Sequence, residues 1–180
     1  MKRALALGLM AALACAAPAG AAPASMTIVT HDASVSRIGT FRPSENPRLS
    51  AAIRAFGRPS GRLAQGSACR VTWRRLELKI VFANFGGTAP GQTTCAPSVG
   101  RAQSFVVRGP RFRTVAGLRV DQPATQVRAL YPYAQWREGG WTLVSAETPY
   151  GEASETPVLR AFASGGKVSA LSGRIGGAGD

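Results

Sequence analysis

The chain is poor in the residues that carry chemistry: among 180 residues it has one histidine, three cysteines and nine acidic residues. His31, the sole histidine, lies in a polar stretch. No Ser/His/Asp or Cys/His set assembles around it, so it reads as a solvated side chain. The carboxylates are too few and too scattered to pair as general acid and base, and no His/Cys/Asp/Glu spacing would hold a metal. Neither a metal nor a cofactor is therefore expected. There is no G-x-S-x-G elbow, because Ser60 stands in Gly57-Arg58-Pro59-Ser60-Gly61, which has the wrong spacing. Ser164-Gly165-Gly166-Lys167 matches S-x-x-K in letters. That pair works when one helical turn carries the lysine over the serine, which a Gly-Gly turn does not do. The glycines from Gly173 to Gly179 resemble a phosphate loop in composition, but no helix follows to supply the dipole. These lacks point away from catalysis. The competing reading is a small secreted hydrolase with an unconventional serine nucleophile, for which Ser164 and Lys167 are the pair to test.

Long apolar runs are also scarce. The one that stands out, Ala4 to Ala14, follows Lys2 and Arg3 and precedes a small-residue stretch, the three-part pattern of a secretion signal. It is too short to span a bilayer. Alanines at both required positions put cleavage after Ala21 or Ala24, and residues 1–24 are read as the signal peptide. Cys15 after Ala12-Leu13-Ala14 resembles a bacterial lipobox, with alanine where leucine is usual, so lipidation stands as an alternative to removal. Cys69 and Cys95 survive processing, and in an oxidising compartment two such thiols are expected to pair. The expected location is secreted, periplasmic or elsewhere in the cell envelope, with no transmembrane helix in the mature chain.

Acidic residues are thin in the first half. Between Ala33 and Val120 there are 15 basic residues against Glu45 and Glu77, whereas Asp121 to Asp180 holds five basic and six acidic. The formal charge of +13 becomes +11 without Lys2 and Arg3. Such asymmetry fits an anionic partner for the first half, although 18 of the 20 mature basic residues are arginine, a bias that a GC-rich genome also produces. Export makes nucleic acid a poor partner, and no nucleic-acid motif occurs.

Two segments read alike, Ala52-Ile53-Arg54-Ala55-Phe56 and Gln126-Val127-Arg128-Ala129-Leu130. The first ends a short helix capped near Asn46, led by Pro47, striped by Leu49, Ala52, Ile53 and Phe56, and stopped by Gly57 and Pro59. The second starts around Asp121 to Pro123 and stops before Pro132. After each helix the period changes to two, as in Leu76, Leu78, Ile80 and Phe82. Strands are expected over 141–147, 157–163 and 167–172, with turns at Glu138-Gly139-Gly140 and Ser164-Gly165-Gly166-Lys167. Residues 84–102 are expected as a loop that Cys95 pins towards Cys69. The architecture expected is α+β: two tandem repeats, each one or two short helices on a three- to four-stranded antiparallel sheet. A flexible segment (25–34) leads into a basic first repeat (35–111) and a second repeat (112–180).

Ile53-Arg54-Ala55-Phe56-Gly57-Arg58-Pro59 is similar to the helix-ending V-x-x-x-L-G-x-P pattern of the small SmpA/OmlA outer-membrane lipoproteins. The tandem arrangement resembles that of the secreted beta-lactamase-inhibitor proteins. Both resemblances imply an exported module that binds other proteins and catalyses nothing. Tyr131 stands where the second copy should have glycine.

Two groups of residues are candidate binding surfaces. Arg54 and Arg58, one helical turn apart, could join Arg62, Arg74 and Arg75 in a positive patch for phosphates or carboxylates. Tyr131, Tyr133, Trp136 and Trp141 place four large aromatics in eleven residues, able either to anchor a partner or to fill the core. The function expected is a non-catalytic, exported module contacting another protein or an anionic envelope polymer or lipid.

Overall fold

Strand formation follows from strict alternation in the middle of the chain. In β4 (Ala68–Trp73) the side chains of Cys69, Val71 and Trp73 are buried while Arg70 is exposed, and in β5 (Leu78–Ala83) Leu78, Ile80 and Phe82 are buried around an exposed Lys79. Period two gives each strand one apolar face. A 3-10 turn, Arg74–Leu76, joins them, with Glu77 in the left-handed region at φ 50°. Leu76, expected within the strand, belongs to this turn.

The computed structural model describes residues 25–84, 86–87, 92–146 and 156–176. The segment 1–24, expected as a signal peptide and containing Cys15, and the end of the glycine-rich tail, residues 177–180, lie outside the described residues.

The remaining elements are β1 (Met26–His31), β2 (Ser34–Ile38), α1 (Leu49–Phe56), β3 (Gly61–Gln65), β6 (Arg101–Val107), β7 (Phe112–Thr114), α2 (Thr125–Leu130), β8 (Gln135–Arg137), β9 (Gly140–Ala146), β10 (Thr156–Ser164) and β11 (Lys167–Arg174). Eight strands form one antiparallel sheet in the order β3-β4-β5-β6-β11-β10-β9-β8. The first four come from residues 61–107 and the last four from residues 135–174, and they meet where Phe105 faces Gly173 and Val107 faces Leu171. A second sheet has the order β2-β1-β7, β1 running antiparallel to β2 and parallel to β7.

This overturns the expected fold class of two helix-on-sheet repeats. The described chain is mostly strand, with one large sheet, one small sheet and two short helices. Length explains the difference. At 1.5 Å per residue α1 and α2 extend about 12 and 9 Å, whereas eight strands about 4.8 Å apart span about 34 Å. The small sheet supplies the missing cover: β2 packs on β10 and β11, and Val35 lies against Gly173 and Phe105. The segment over 25–34, expected as a flexible lead-in, contributes to that cover through β1, where Ile28 is buried.

Helix α1 begins later than its caps imply. Asn46 Oδ1 accepts a hydrogen bond from the Arg48 N–H at 3.2 Å, and the first helical residue is Leu49. Its end is as expected: Gly57 has φ 79°, and its N–H donates to Ile53 O at 2.8 Å. Trp73 Nε1 donates to Gly57 O at 2.8 Å, and the Phe56 ring meets both Phe41 and Trp73 edge-on. The helix is thus fixed by its last turn to β4.

Gly173 is required by close approach. A Cβ there would stand 2.6 Å from Phe105 Cε1 and 2.9 Å from Val35 Cγ2. Gly173→Ala is therefore expected to destabilise by about 2 kcal/mol through overpacking between the sheets. Urea unfolding checks this as a lower midpoint at unchanged slope.

Candidate functional site

One face of the eight-stranded sheet carries the core, and the alternate residues form the other face. Register places Gly61, Thr72, Lys79, Val106, Ser172, Arg160, Thr142 and Gln135 in a single row across all eight strands. A second row runs Leu63, Arg70, Val81, Ser104 and Arg174. Of these thirteen residues only Thr142 is buried. Small hydroxyl and β-branched side chains in the middle leave this open face low, with longer cations standing around them.

Two hollows result, and they share Val106. The first, about 400 Å³, is lined by Thr72, Arg74, Glu77, Lys79, Val106 and Arg108 at one end of β4, β5 and β6. The second, about 290 Å³, lies over the junction of the two halves and includes Ser104, Ser172, Arg160 and Arg174. Arg160 is partly satisfied: Nη2 donates to Arg137 O at 2.7 Å, Nη1 lies 3.4 Å from Glu138 Oε2 and the guanidinium stacks over Phe162, while Nε is buried without a hydrogen-bond partner among the described residues. Arg70, Arg74, Lys79, Arg108 and Arg174 have no ion-pair partner among the described residues.

No family model matches this chain. Nor does any curated protein match it. Among solved structures it is similar to an extracellular protein containing a SCP domain from Bacillus anthracis str. Ames, at 10% identity and TM-score 0.40. The likeness covers 71% of this chain and 43% of that protein. A likeness of that size carries nothing about activity or partners.

The arginines expected to form one patch are distributed over several elements. Arg54 is exposed on α1 and lines a shallow groove with Phe41, Arg42 and Glu45; Arg58 is exposed just beyond Gly57. Arg62 stands in register with Val71, on the core side of β3, where its Nη1 donates to Cys95 O at 3.3 Å. Arg74 and Arg75 are exposed in the 3-10 turn, and Arg74 is the member that lines the open-face hollow. Arg70, Lys79, Arg108 and Arg174 were not singled out from the sequence. Their signal was the alternation itself, since Arg70 and Lys79 fill the gaps between core positions in β4 and β5.

The four aromatics divide similarly. Trp136 and Trp141 face one another across β8 and β9 and pack edge-on at 5.2 Å, with Arg128 of α2 over the Trp141 ring at 5.1 Å. Trp136 remains 52% exposed and Tyr133 94% exposed. Tyr131 instead packs against the core. Burial raises its pKa above the ordinary 10, opposed by hydrogen bonds with the Thr114 side chain and the Ala116 backbone. The folded state therefore holds the phenol proton more tightly than the unfolded chain does. The associated stability is fully present below pH 10 and is lost as pH rises through the raised pKa. Alkaline denaturation should be less steep above pH 10 in Tyr131→Phe.

Cys69 and Cys95 are disulfide-bonded with Cα atoms 5.1 Å apart. Bridges of this kind persist in proteins that leave the reducing cytosol. Among the described residues no helix is long and apolar enough to cross a membrane. His31 is exposed beside Asp32 at 2.7 Å, and Ser164 and Lys167 are the exposed closing pair of the β10–β11 hairpin.

Proposed function

We propose that this chain is an exported, non-catalytic binding module that presents the open face of its large sheet to an acidic partner, either another protein or an anionic component of the cell envelope. The observation that carries this reading is a set of cations without an ion-pair partner among the described residues: Arg74, Lys79, Arg108 and Arg174 line two adjoining hollows, and Arg70 stands elsewhere on the same continuous face. An unpaired cation on a low-dielectric sheet raises the local concentration of anionic ligands and speeds their encounter. The mature chain acts in the periplasm, at the envelope or outside the cell. Lipid on Cys15, if retained, would hold it at a membrane.

The test is retention of the natively exported protein on polyglutamate-coated surfaces and on vesicles containing an anionic phospholipid, at low and high salt. Retention should fall steeply as the Debye length contracts from about 10 Å at 0.1 M salt to about 3 Å at 1 M. Retention that salt leaves unchanged on both materials, or that is absent from both, would overturn the electrostatic reading.

A further inference from the structure

The hollow at the end of β4, β5 and β6 has a more specific chemistry than the face around it. Thr72 and Lys79 are directly paired across β4 and β5, and Lys79 is paired with Val106 across β5 and β6, so the floor of the hollow is three adjacent residues in one row. Arg74 enters from the 3-10 turn and Arg108 from the residue after β6, each exposed. The turn is held to β6 by the Arg108 N–H, which donates to Glu77 O at 2.9 Å. Three cations and a hydroxyl therefore converge on one cavity from three separate backbone segments. Glu77 also lines the cavity and, like the three cations, lacks an ion-pair partner among the described residues.

We propose that this hollow is a subsite for a glutamate or aspartate side chain of an acidic protein partner, an inference that rests on the binding role proposed above. The carboxylate meets Arg74, Lys79 and Arg108, with the Thr72 hydroxyl as a further donor. Val106 lies under the ligand's methylenes, and the Glu77 carboxylate accepts a backbone N–H of the bound segment. Arginine forks suit a planar carboxylate. A phosphate is disfavoured because the Glu77 carboxylate, which lines the same cavity, would repel a dianion while aiding an amide. The cavity of about 400 Å³ also exceeds what a single anion fills, leaving room for the flanking peptide backbone.

The experiment is backbone amide NMR of the natively exported protein titrated at low salt with a blocked triglutamate peptide and, separately, with inorganic phosphate. The expected result is saturable shifts confined to residues near Thr72, Lys79, Val106 and Arg108 with the peptide, and weaker binding of phosphate. Lys79→Gln and Arg108→Gln should each weaken the peptide about tenfold, while Arg70→Gln, on the same face outside the hollow, should change it little. Phosphate binding as tightly as the peptide would overturn the carboxylate assignment. Shifts spread across the face, with Arg70→Gln as damaging as Lys79→Gln, would overturn the subsite and leave the face-level reading standing. An absence of peptide shifts would also overturn the subsite. If salt-dependent retention on polyglutamate is absent as well, the binding role fails with it.

Discussion

Replacing Cys69 and Cys95 together by alanine is expected to lower stability by about 3.5 kcal/mol, the chain-entropy value for their sequence separation of 26 residues. For a chain of this size that corresponds to a fall in Tm on the order of 10 °C. The bridge is the covalent tie between the described part of the β5–β6 loop and β4. The described hydrogen bonds beside it include those of the Asn84 N–H to Ser67 O at 2.9 Å, Thr94 Oγ1 to Ala68 O at 3.4 Å, the Ser50 N–H to Pro97 O at 3.0 Å, Arg62 to Cys95 O, and Arg48 Nη1 to Ser98 O. Cys69 is fully buried in β4, so the staple joins loop and sheet, and the Ser50 hydrogen bond to Pro97 ties helix α1 to the same loop. Reductant applied to the unaltered protein should reproduce most of the loss, because it removes the same constraint without removing the sulfur atoms. Thermal unfolding of the oxidised protein, the reduced protein and the double variant checks this. A reduced protein that unfolds at the same temperature as the oxidised one would show that the loop is held by its hydrogen bonds instead.

Local features were legible in the sequence wherever they depended on neighbours in the chain. The alternation at Leu78, Ile80 and Phe82 marked β5. The Gly165-Gly166 pair, with φ 59° and 75°, marked the β10–β11 turn, and Glu138-Gly139, with φ 50° and 74°, marked the β8–β9 turn. Gly57 marked the end of α1. Pairing between distant segments was not legible. Nothing local in Phe105 or Gly173 says that β6 and β11 lie side by side, yet that one contact merges two groups of four strands into a single sheet. Strand β3 had no signal because all five of its residues are exposed, and an edge strand without an apolar face has no period to read. Strand β6 was partly concealed by the Gly/Pro-rich loop before it. The first hairpin carries a weak sequence signal for another reason: Ile28, Val35 and Ile38 are spaced among polar neighbours such as Thr30, His31, Asp32 and Ser34.

The candidate site was misplaced by the same dependence on local pattern. Arg54 and Arg58 are conspicuous because helical spacing puts them one turn apart, but they lie on or just beyond α1. Arg70 and Lys79 become a surface only when β4, β5 and β6 align. A face assembled by register is invisible until register is known, and the row from Thr72 through Lys79 to Val106 and Ser172 crosses four strands drawn from both halves of the chain.

That difference gives the decisive comparison between surfaces. The triple reversal Arg74→Glu, Lys79→Glu and Arg108→Glu is expected to weaken binding to an acidic surface by about 100-fold, taking about 1 kcal/mol for each exposed pair and converting the sum to an affinity ratio. The matched triple, Arg54→Glu, Arg58→Glu and Arg75→Glu, alters net charge by the same amount on residues outside the two open-face hollows. It should lower the encounter rate through the overall field and leave the dissociation rate nearly unchanged. All six arginines and lysines are exposed, so each triple should alter unfolding free energy little, and urea melts verify that both proteins are folded. Surface plasmon resonance on immobilised polyglutamate separates the outcomes. Faster dissociation confined to the open-face triple assigns binding to that face. An equal loss from both triples means that net charge alone is at work, and a larger loss from the second moves the binding surface to the α1 arginines.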